Sequence, residues 1–248
     1  MPFRKLFLVS ALLGAVFCYS AEGKEWRQAR NKAFQAGEKL NFSIKWGIIK
    51  VGSASMEVRE VTQYENRDVF RIISTARSSL FFDPFFKVRD RIEVLMDKGS
   101  LCSWRFEKSL REGDYTKDEL ILFDQRGLKA KEGDEIQSVP PYVQDILSAF
   151  YYFRTLNVEA GKDYRFPVYT DRKTWEMVVK VTKKEKIKTP AGRFKTIRVE
   201  PVMKGQGIFA QKGKIEIWLT DDRYRMPVLM RSKIAVGSIR AILTDYKR

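Results

Sequence analysis

The sequence predicts an all-β protein: a single strongly curved antiparallel sheet or barrel carrying one α-helix. Three observations point there. Apolar and polar residues alternate with a period of two through most of the chain. Short turn signals punctuate the alternating runs: "DKGS", "REGD", "DQRG", "KEGD", "TPAG", "QKGK" and "TDDR". One segment alone, "PPYVQDILSAFYYFRTL", switches to helical spacing.

The chain opens on a different kind of signal. Arg4 and Lys5 precede a mostly apolar stretch, Leu6 to Ser20, and Ala21 and Gly23 give a small-x-small cleavage site. Residues 1–23 are therefore expected to be a secretory signal peptide, and 24–248 a single β-rich domain. Phe17 rather than a small residue precedes Cys18, which argues against lipidation. No later stretch reaches the roughly 18 apolar residues that a spanning helix needs. The expected address is the periplasm. Loss of Cys18 with the leader would leave Cys102 alone, so the mature chain has no internal disulfide, and Cys102 is expected to be a small buried hydrophobe.

The strands follow in order. Leu40, Phe42, Ile44 and Trp46 alternate with polar residues, and Gly47 and Gly52 bracket a turn before Ala54, Met56 and Val58. Later runs place Trp175, Met177, Val179 and Val181 on one face, then Ile215, Ile217 and Leu219, then Met226, Val228 and Met230, then Ile239, Ala241 and Leu243. Trp46 and Trp175 are in phase with their strands and are expected in the core. Trp218 is out of phase with Ile217 and Leu219 and is expected to face outward as a contact residue. The helix is expected at about 143–156, with Pro141 near its start, Asp145 at its positive end, and Asn157 and Gly161 as stop signals.

The two sides of the helix echo each other. "VTQYENRDVFRII" from 61 resembles "VTKKEKIKTPAGRFKTIRV" from 181, and "RIEVLMDKGSLCSWRF" from 91 resembles "KIEIWLTDDRYRMPVLM" from 214. An internal duplication is expected, with the helix as connector.

The formal charge is +16, and +15 once Arg4, Lys5 and Glu22 leave with the signal peptide. Such a field favours anionic partners. Nucleic acid fits the charge but not the exported address. The chain has no histidine, which removes the usual general base, His-assisted nucleophiles and the commonest zinc ligand. With one mature cysteine, a thiolate metal site is excluded too, and no metal or cofactor is expected. "KGQGIFAQKG" lacks the third glycine of a dinucleotide fingerprint and lies in β context. Carboxylate chemistry remains open, with Asp114, Asp118 and Glu119 close together in sequence, and a glycan hydrolase is kept as a lesser alternative. The expectation is a protein that is not an enzyme.

Binding chemistry has a stronger signal in "SSLFFDPFFKVRDR", residues 78–91. Phe81, Phe82, Phe85 and Phe86 surround Pro84, which marks a bend or strand end rather than a regular strand. A bend cannot bury four adjacent rings on one side, so these rings either close the barrel mouth or meet a ligand or bilayer. Lys87, Arg89 and Arg91 follow, and cations beside rings suit an anionic amphiphile. The expected site sets these residues, with Tyr151 and Tyr152 of the helix, around the mouth of a pocket between helix and concave sheet. Lys183, Lys184 and Lys186 belong to "KVTKKEKIK", a solvated hairpin or a surface that docks on an anionic membrane.

In their order along the chain, "GEKLNFSIKWGIIKVGSASMEV", "KVRDRIEVLMD", "DILSAFYYFRTL", "TPAGRFKTIRVEP" and "DDRYRMPVLMRSKIAVGSIRAIL" resemble the secreted bacterial proteins of domain-of-unknown-function family 3108. The resemblance spans about 37–246, implies the fold, and brings no activity with it. Positions that match its pattern are Gly37, Glu38, Gly52, Asp90, Asp145, Arg154, Gly192, Pro227 and Gly237. The glycines have backbone explanations, and Asp90, Asp145 and Arg154 are expected to pair inside the fold. A looser similarity is to periplasmic half-barrels that carry lipoproteins or lipids, by architecture alone. The function expected is non-catalytic binding of a hydrophobic or amphiphilic envelope component: lipid, lipoprotein or acylated glycan. The rival is an envelope assembly protein with a filled core, acting through its basic face and Trp218.

Overall fold

Fourteen strands form one antiparallel sheet in the computed structural model, which describes residues 26–204, 214–234 and 237–248. The expected signal peptide and "GQGIFAQKG", 205–213, lie outside the described residues. The first half is a meander: β1 (Lys39–Trp46), β2 (Ile49–Tyr64), β3 (Arg67–Ser78), β4 (Arg89–Asp97), β5 (Ser103–Glu112), β6 (Tyr115–Asp124), β7 (Lys129–Glu132) and β8 (Glu135–Ser138). Helix α1 (Ile146–Thr155) follows. The second half is β9 (Asp163–Thr170), β10 (Lys173–Thr189), β11 (Gly192–Met203), β12 (Ile215–Thr220), β13 (Pro227–Lys233) and β14 (Ser238–Lys247). The halves join where β1 pairs with β14, so the order runs from β8 through β1 to β14 and on to β9.

The sheet is strongly curved but not closed. β8 and β9 are its edges. Side chains and one stretch of loop bridge the gap in place of a ladder. Phe123 meets Tyr169 edge-on with ring centroids 5.9 Å apart. Gln144 forms a short parallel bridge to Val168, and its carbonyl accepts from the Tyr169 N–H at 2.8 Å. Arg172 pairs with Glu135 at 2.7 Å.

The helix starts later than its apolar periodicity predicts. Gln144 is committed to that bridge, so Asp145 becomes the N-cap. Its Oδ1 accepts from Leu147 N–H (2.7 Å) and Ser148 N–H (2.9 Å), and the Ser148 hydroxyl accepts from the Asp145 N–H (2.9 Å). This is a complete capping box. Pro141 lies outside the helix, in the preceding turn. Leu147 and Tyr151 face one core with β1–β7, while Ala149 and Phe153 face a second with β9–β12. The helix thus fills the curve and is apolar on two sides.

The sequence echo corresponds to matching backbone devices. Gly37, at φ +90°, donates its N–H to the Val58 carbonyl at 2.7 Å, and Val58 N–H returns a bond to Glu38 at 2.9 Å. Gly161, at φ +84°, does the same with Val181 at 2.9 Å, and Val181 N–H returns to Lys162 at 3.0 Å. A bulge follows each valine, between Val58 and Glu60 and between Val181 and Lys183. Both glycines hold a positive φ that a side chain would strain. The equivalence is therefore Val58 with Val181, three residues from the sequence alignment of 61 with 181. β4–β5 and β12–β13 stand in the same relation, as expected.

Several packing expectations need correction. Trp218 does turn away from Ile217, but it is buried. Its Nε1–H donates to Glu185 at 2.8 Å, and Arg231 lies 5.3 Å over its ring. The long β10–β11 hairpin supplies Glu185 and removes Trp218 from any outer contact surface. Trp46 is exposed at the end of β1, because strand phase says nothing about cover beyond the last rung, and Trp175 is half-buried. Asp90, Asp145 and Arg154 do not pair with one another. Asp145 caps the helix, Arg154 binds Glu38, and Asp90 accepts from Arg111 N–H at 3.0 Å. Gly52 has a close-approach role: a Cβ there would lie 2.2 Å from the Arg77 carbonyl oxygen. Pro227 opens β13 opposite a bulge, Gly192 follows a turn, and Gly237, at φ +82°, precedes β14.

Cys102 is fully buried against the Ser100 hydroxyl, 3.1 Å away, and burial pushes its thiol up to about 12. A thiolate is the reactive form. The native protein is therefore expected to resist a chromogenic disulfide reagent at neutral pH and to release one equivalent on denaturation from Cys102. Rapid native reaction at this residue would contradict its burial.

Candidate functional site

An apolar cavity of about 670 Å3 lies between α1 and the concave face of β9–β12. Ile146, Ala149, Phe150 and Phe153 form its roof, one helical turn apart in pairs. Phe166 of β9, Met177 and Val179 of β10, Val199 and Met203 of β11, and Ile217 of β12 form its floor. The floor is apolar because these residues alternate inward along four neighbouring strands. Ile146, Val202 and Ile215 are partly exposed and mark the open end. Charge is confined to the rim: Lys214 pairs with Glu200 at 2.9 Å, and Lys180 is exposed beside them.

The sequence placed a pocket between helix and sheet, but the residues expected at its mouth are elsewhere. Phe81, Phe82, Phe85 and Phe86 lie in the turn joining β3 to β4 and do not line this cavity. Lys87 is exposed on that turn, Arg89 pairs with Asp83 at 2.6 Å, and Arg91 pairs with Glu93. Tyr151 points to the other side of the helix, fully buried against Phe34 with ring centroids 4.9 Å apart. Burial raises its phenol above the ordinary range. Tyr152 comes nearest, edge-on to the floor residue Phe166 at 5.5 Å. Phe150, Phe153 and Phe166 are the rings that line the cavity. The signal for two of them was present: Phe150 and Phe153 are three apart in the helix.

The cationic hairpin residues face solvent. Lys183 pairs with Glu185 (3.2 Å) and Lys184 with Asp221 (2.9 Å), and Lys186 is exposed. The acids considered for hydrolysis do not converge. Asp118 is held by Arg111 (2.8 Å), while Glu119, on the opposite face of β6, is held by Lys108 (2.8 Å) and Lys117 (2.7 Å). Asp90 and Glu112 do meet. Burial raises both, and for Glu112 the Asp90 charge adds to it. Burial raises Glu132 too, and Glu119 lies near enough to add to it. Asp90 was singled out, but its pairing with Glu112 was missed because their strands are paired only in three dimensions.

A family profile described as "Protein of unknown function (DUF3108)" matches residues 41–244. The chain belongs to the DUF3108 family. Its fold also resembles solved structures. A beta-barrel-like protein of domain of unknown function DUF1849 from Brucella abortus overlays with TM-score 0.54 at 11% identity, over 86% of this chain and 97% of that one. That likeness shows the fold alone. A "putative exported protein with YmcC-like fold" from Bacteroides fragilis gives TM-score 0.33 at 13% identity, over 90% of this chain and 100% of that one. A "putative lipoprotein" from Parabacteroides distasonis gives 0.32 at 14% identity, over 90% and 97%. A search of curated proteins finds no match.

Proposed function

We propose that this DUF3108 protein binds an acyl-bearing envelope component, without catalysis, in the cavity beneath α1. The observation that carries this is the cavity itself. Its volume of about 670 Å3 sits within the range of small-molecule sites, roughly 300–1,000 Å3. A domain with a filled core would close such a space, because empty apolar volume is destabilising. The wall chemistry selects the ligand class. Phe150, Phe153, Phe166, Met177 and Val179 offer no hydrogen bonds to a polar ligand, whereas an acyl chain needs none. Lys180 and Lys214 at the rim suit an anionic head. The N-terminal leader read from the sequence gives the address.

The test is native mass spectrometry of protein purified from its own envelope, followed by displacement of a fluorescent fatty-acid probe. A stoichiometric lipid is expected, lost in Val179→Trp, which places an indole in the cavity, with the melting temperature little changed. A wild-type protein that carries no lipid and binds no acyl probe would end this reading.

A further inference from the structure

A second apolar feature lies outside the cavity, on two neighbouring turns and the adjoining end of β13. Ile48 on the β1–β2 turn is 90% exposed. On the β3–β4 turn Leu80 is 84%, Phe81 75% and Phe85 77% exposed. Ile234, just after β13, is partly exposed as well. The turns are neighbours: Ser79 N–H donates to the Val51 carbonyl at 2.9 Å, and Gly47 N–H donates to Ser238 at 3.4 Å. The β3–β4 turn is internally braced. Phe82 and Asp83 N–H groups both donate to Ser79 O (2.9 and 3.0 Å), Phe86 N–H donates to Phe82 O (2.9 Å), and Asp83 binds Arg89. The rings of Phe81, Phe82 and Phe85 pack on one another, 5.3 and 6.4 Å apart. The backbone thus holds Phe81 and Phe85 out in water, where apolar surface is unfavourable.

The charges nearby are one-sided. Segments 45–50 and 77–91 hold Lys45, Lys50, Arg77, Lys87, Arg89 and Arg91 against Asp83 and Asp90. Lys45, Lys50 and Lys87 form no ion pair among the described residues. Just below the turns, a groove of about 630 Å3 crosses β1–β4, where Ser53, Ser55, Thr75, Arg77, Arg91 and Lys50 outnumber the single lining carboxylate, Asp90. Hydroxyl, guanidinium and ammonium donors are what a lipid phosphate accepts from.

The geometry points to docking on an anionic bilayer, with Ile48, Leu80, Phe81 and Phe85 entering the interface and the groove taking phosphate headgroups. Apolar tips with a cationic collar are the two attractions that hold a peripheral protein on such a surface. Because the sheet is antiparallel, the open end of the cavity at Val202 and Ile215 lies at the same end of the strands.

The test is co-sedimentation of the purified protein with phosphatidylglycerol-containing vesicles and with phosphatidylcholine vesicles. Binding is expected to the anionic vesicles and to weaken with salt. Phe81→Ser/Phe85→Ser should lower the partition coefficient about tenfold at unchanged melting temperature, since both rings are exposed. Lys50→Gln/Lys87→Gln should weaken binding to anionic vesicles only. Equal partition of wild type and phenylalanine variant, or none by either, overturns the inference. So does a wild-type dimer that the phenylalanine variant abolishes, since the patch would then be covered by a second copy. None of these residues lines the cavity, so retention of a bound lipid by the variants separates this outcome from that of the cavity.

Discussion

Replacing Arg154 with leucine is expected to cost about 3–5 kcal/mol of stability, as breaking a buried ion pair does. Arg154 is fully buried near the C-terminus of α1. Its guanidinium binds Glu38 through two bonds, at 2.7 and 2.8 Å. The remaining donors reach the carbonyls of Ala33 (3.3 Å) and Tyr224 (3.2 Å). Burial works against the charge, but Glu38 more than offsets it and holds Arg154 above its ordinary value. The residue therefore ties the helix to the segment before β1 and to the turn between β12 and β13, which belong to different halves of the sheet. Leucine would leave the Glu38 carboxylate buried with no partner. Glu38→Leu/Arg154→Leu removes both charges, so it should lose less than the sum of the two single variants. Urea unfolding at neutral pH measures all three. A loss under about 1 kcal/mol for Arg154→Leu would show that the helix is held by apolar contacts alone.

The same residue shows what was legible in the sequence. Spacing placed Arg154 on the helix, and the family pattern marked it with Glu38, but only the fold brings residues 38 and 154 together. Period-two alternation was sufficient for the strands, because each inward residue is repeated many times over. It could not order them or close them. Residues 129–138 add β7 and β8 to the first half, which has no counterpart in the second, and the sheet stays open. The echo was legible, and its pairing of 91 with 214 has the true register, whereas its pairing of 61 with 181 is three residues out. Two "VT" dipeptides look alike, whereas the true equivalence of Val58 and Val181 lies in positive-φ glycines and bulges that no residue type announces. The phenylalanine turn was found as a bend, with closure of the barrel mouth and outward contact both left open, and its exposure and its distance from the helix depend on pairings far along the chain. Pocket walls built from ordinary valines and methionines carry no local signal at all.

Asp97→Ala is the second substitution expected to cost about 3–5 kcal/mol, and it carries a pH signature. Asp97 ends β4 fully buried. Its carboxylate accepts from Arg67 Nη2 (3.0 Å), Gly99 N–H (2.9 Å), Ser100 N–H (2.7 Å) and Trp104 Nε1–H (3.0 Å). Burial alone would raise its pKa, but the Arg67 guanidinium and the other donors win and hold it at about 2. The consequences spread through the neighbours. Arg67 lies 4.7 Å over the ring of Trp26, Trp26 stacks on Trp104 at 6.1 Å, and Ala29 N–H donates to Gly99 O at 2.7 Å. Asp97 thus secures the stretch before β1 across the β4–β5 turn. The ordinary value is 3.8 and the folded value is lower, so the stabilisation is fully present above pH 3.8 and is lost as pH falls towards 2. The difference corresponds to about 2 kcal/mol. Urea midpoints of wild type should fall steeply over that window, on top of the general acid loss from other carboxylates. In Asp97→Asn that component should vanish, leaving a shallower acid limb below a reduced plateau. Parallel limbs for the two proteins would mean that Asp97 has the same proton affinity folded and unfolded. The turn would then be held by Trp26 and Trp104 packing rather than by the carboxylate.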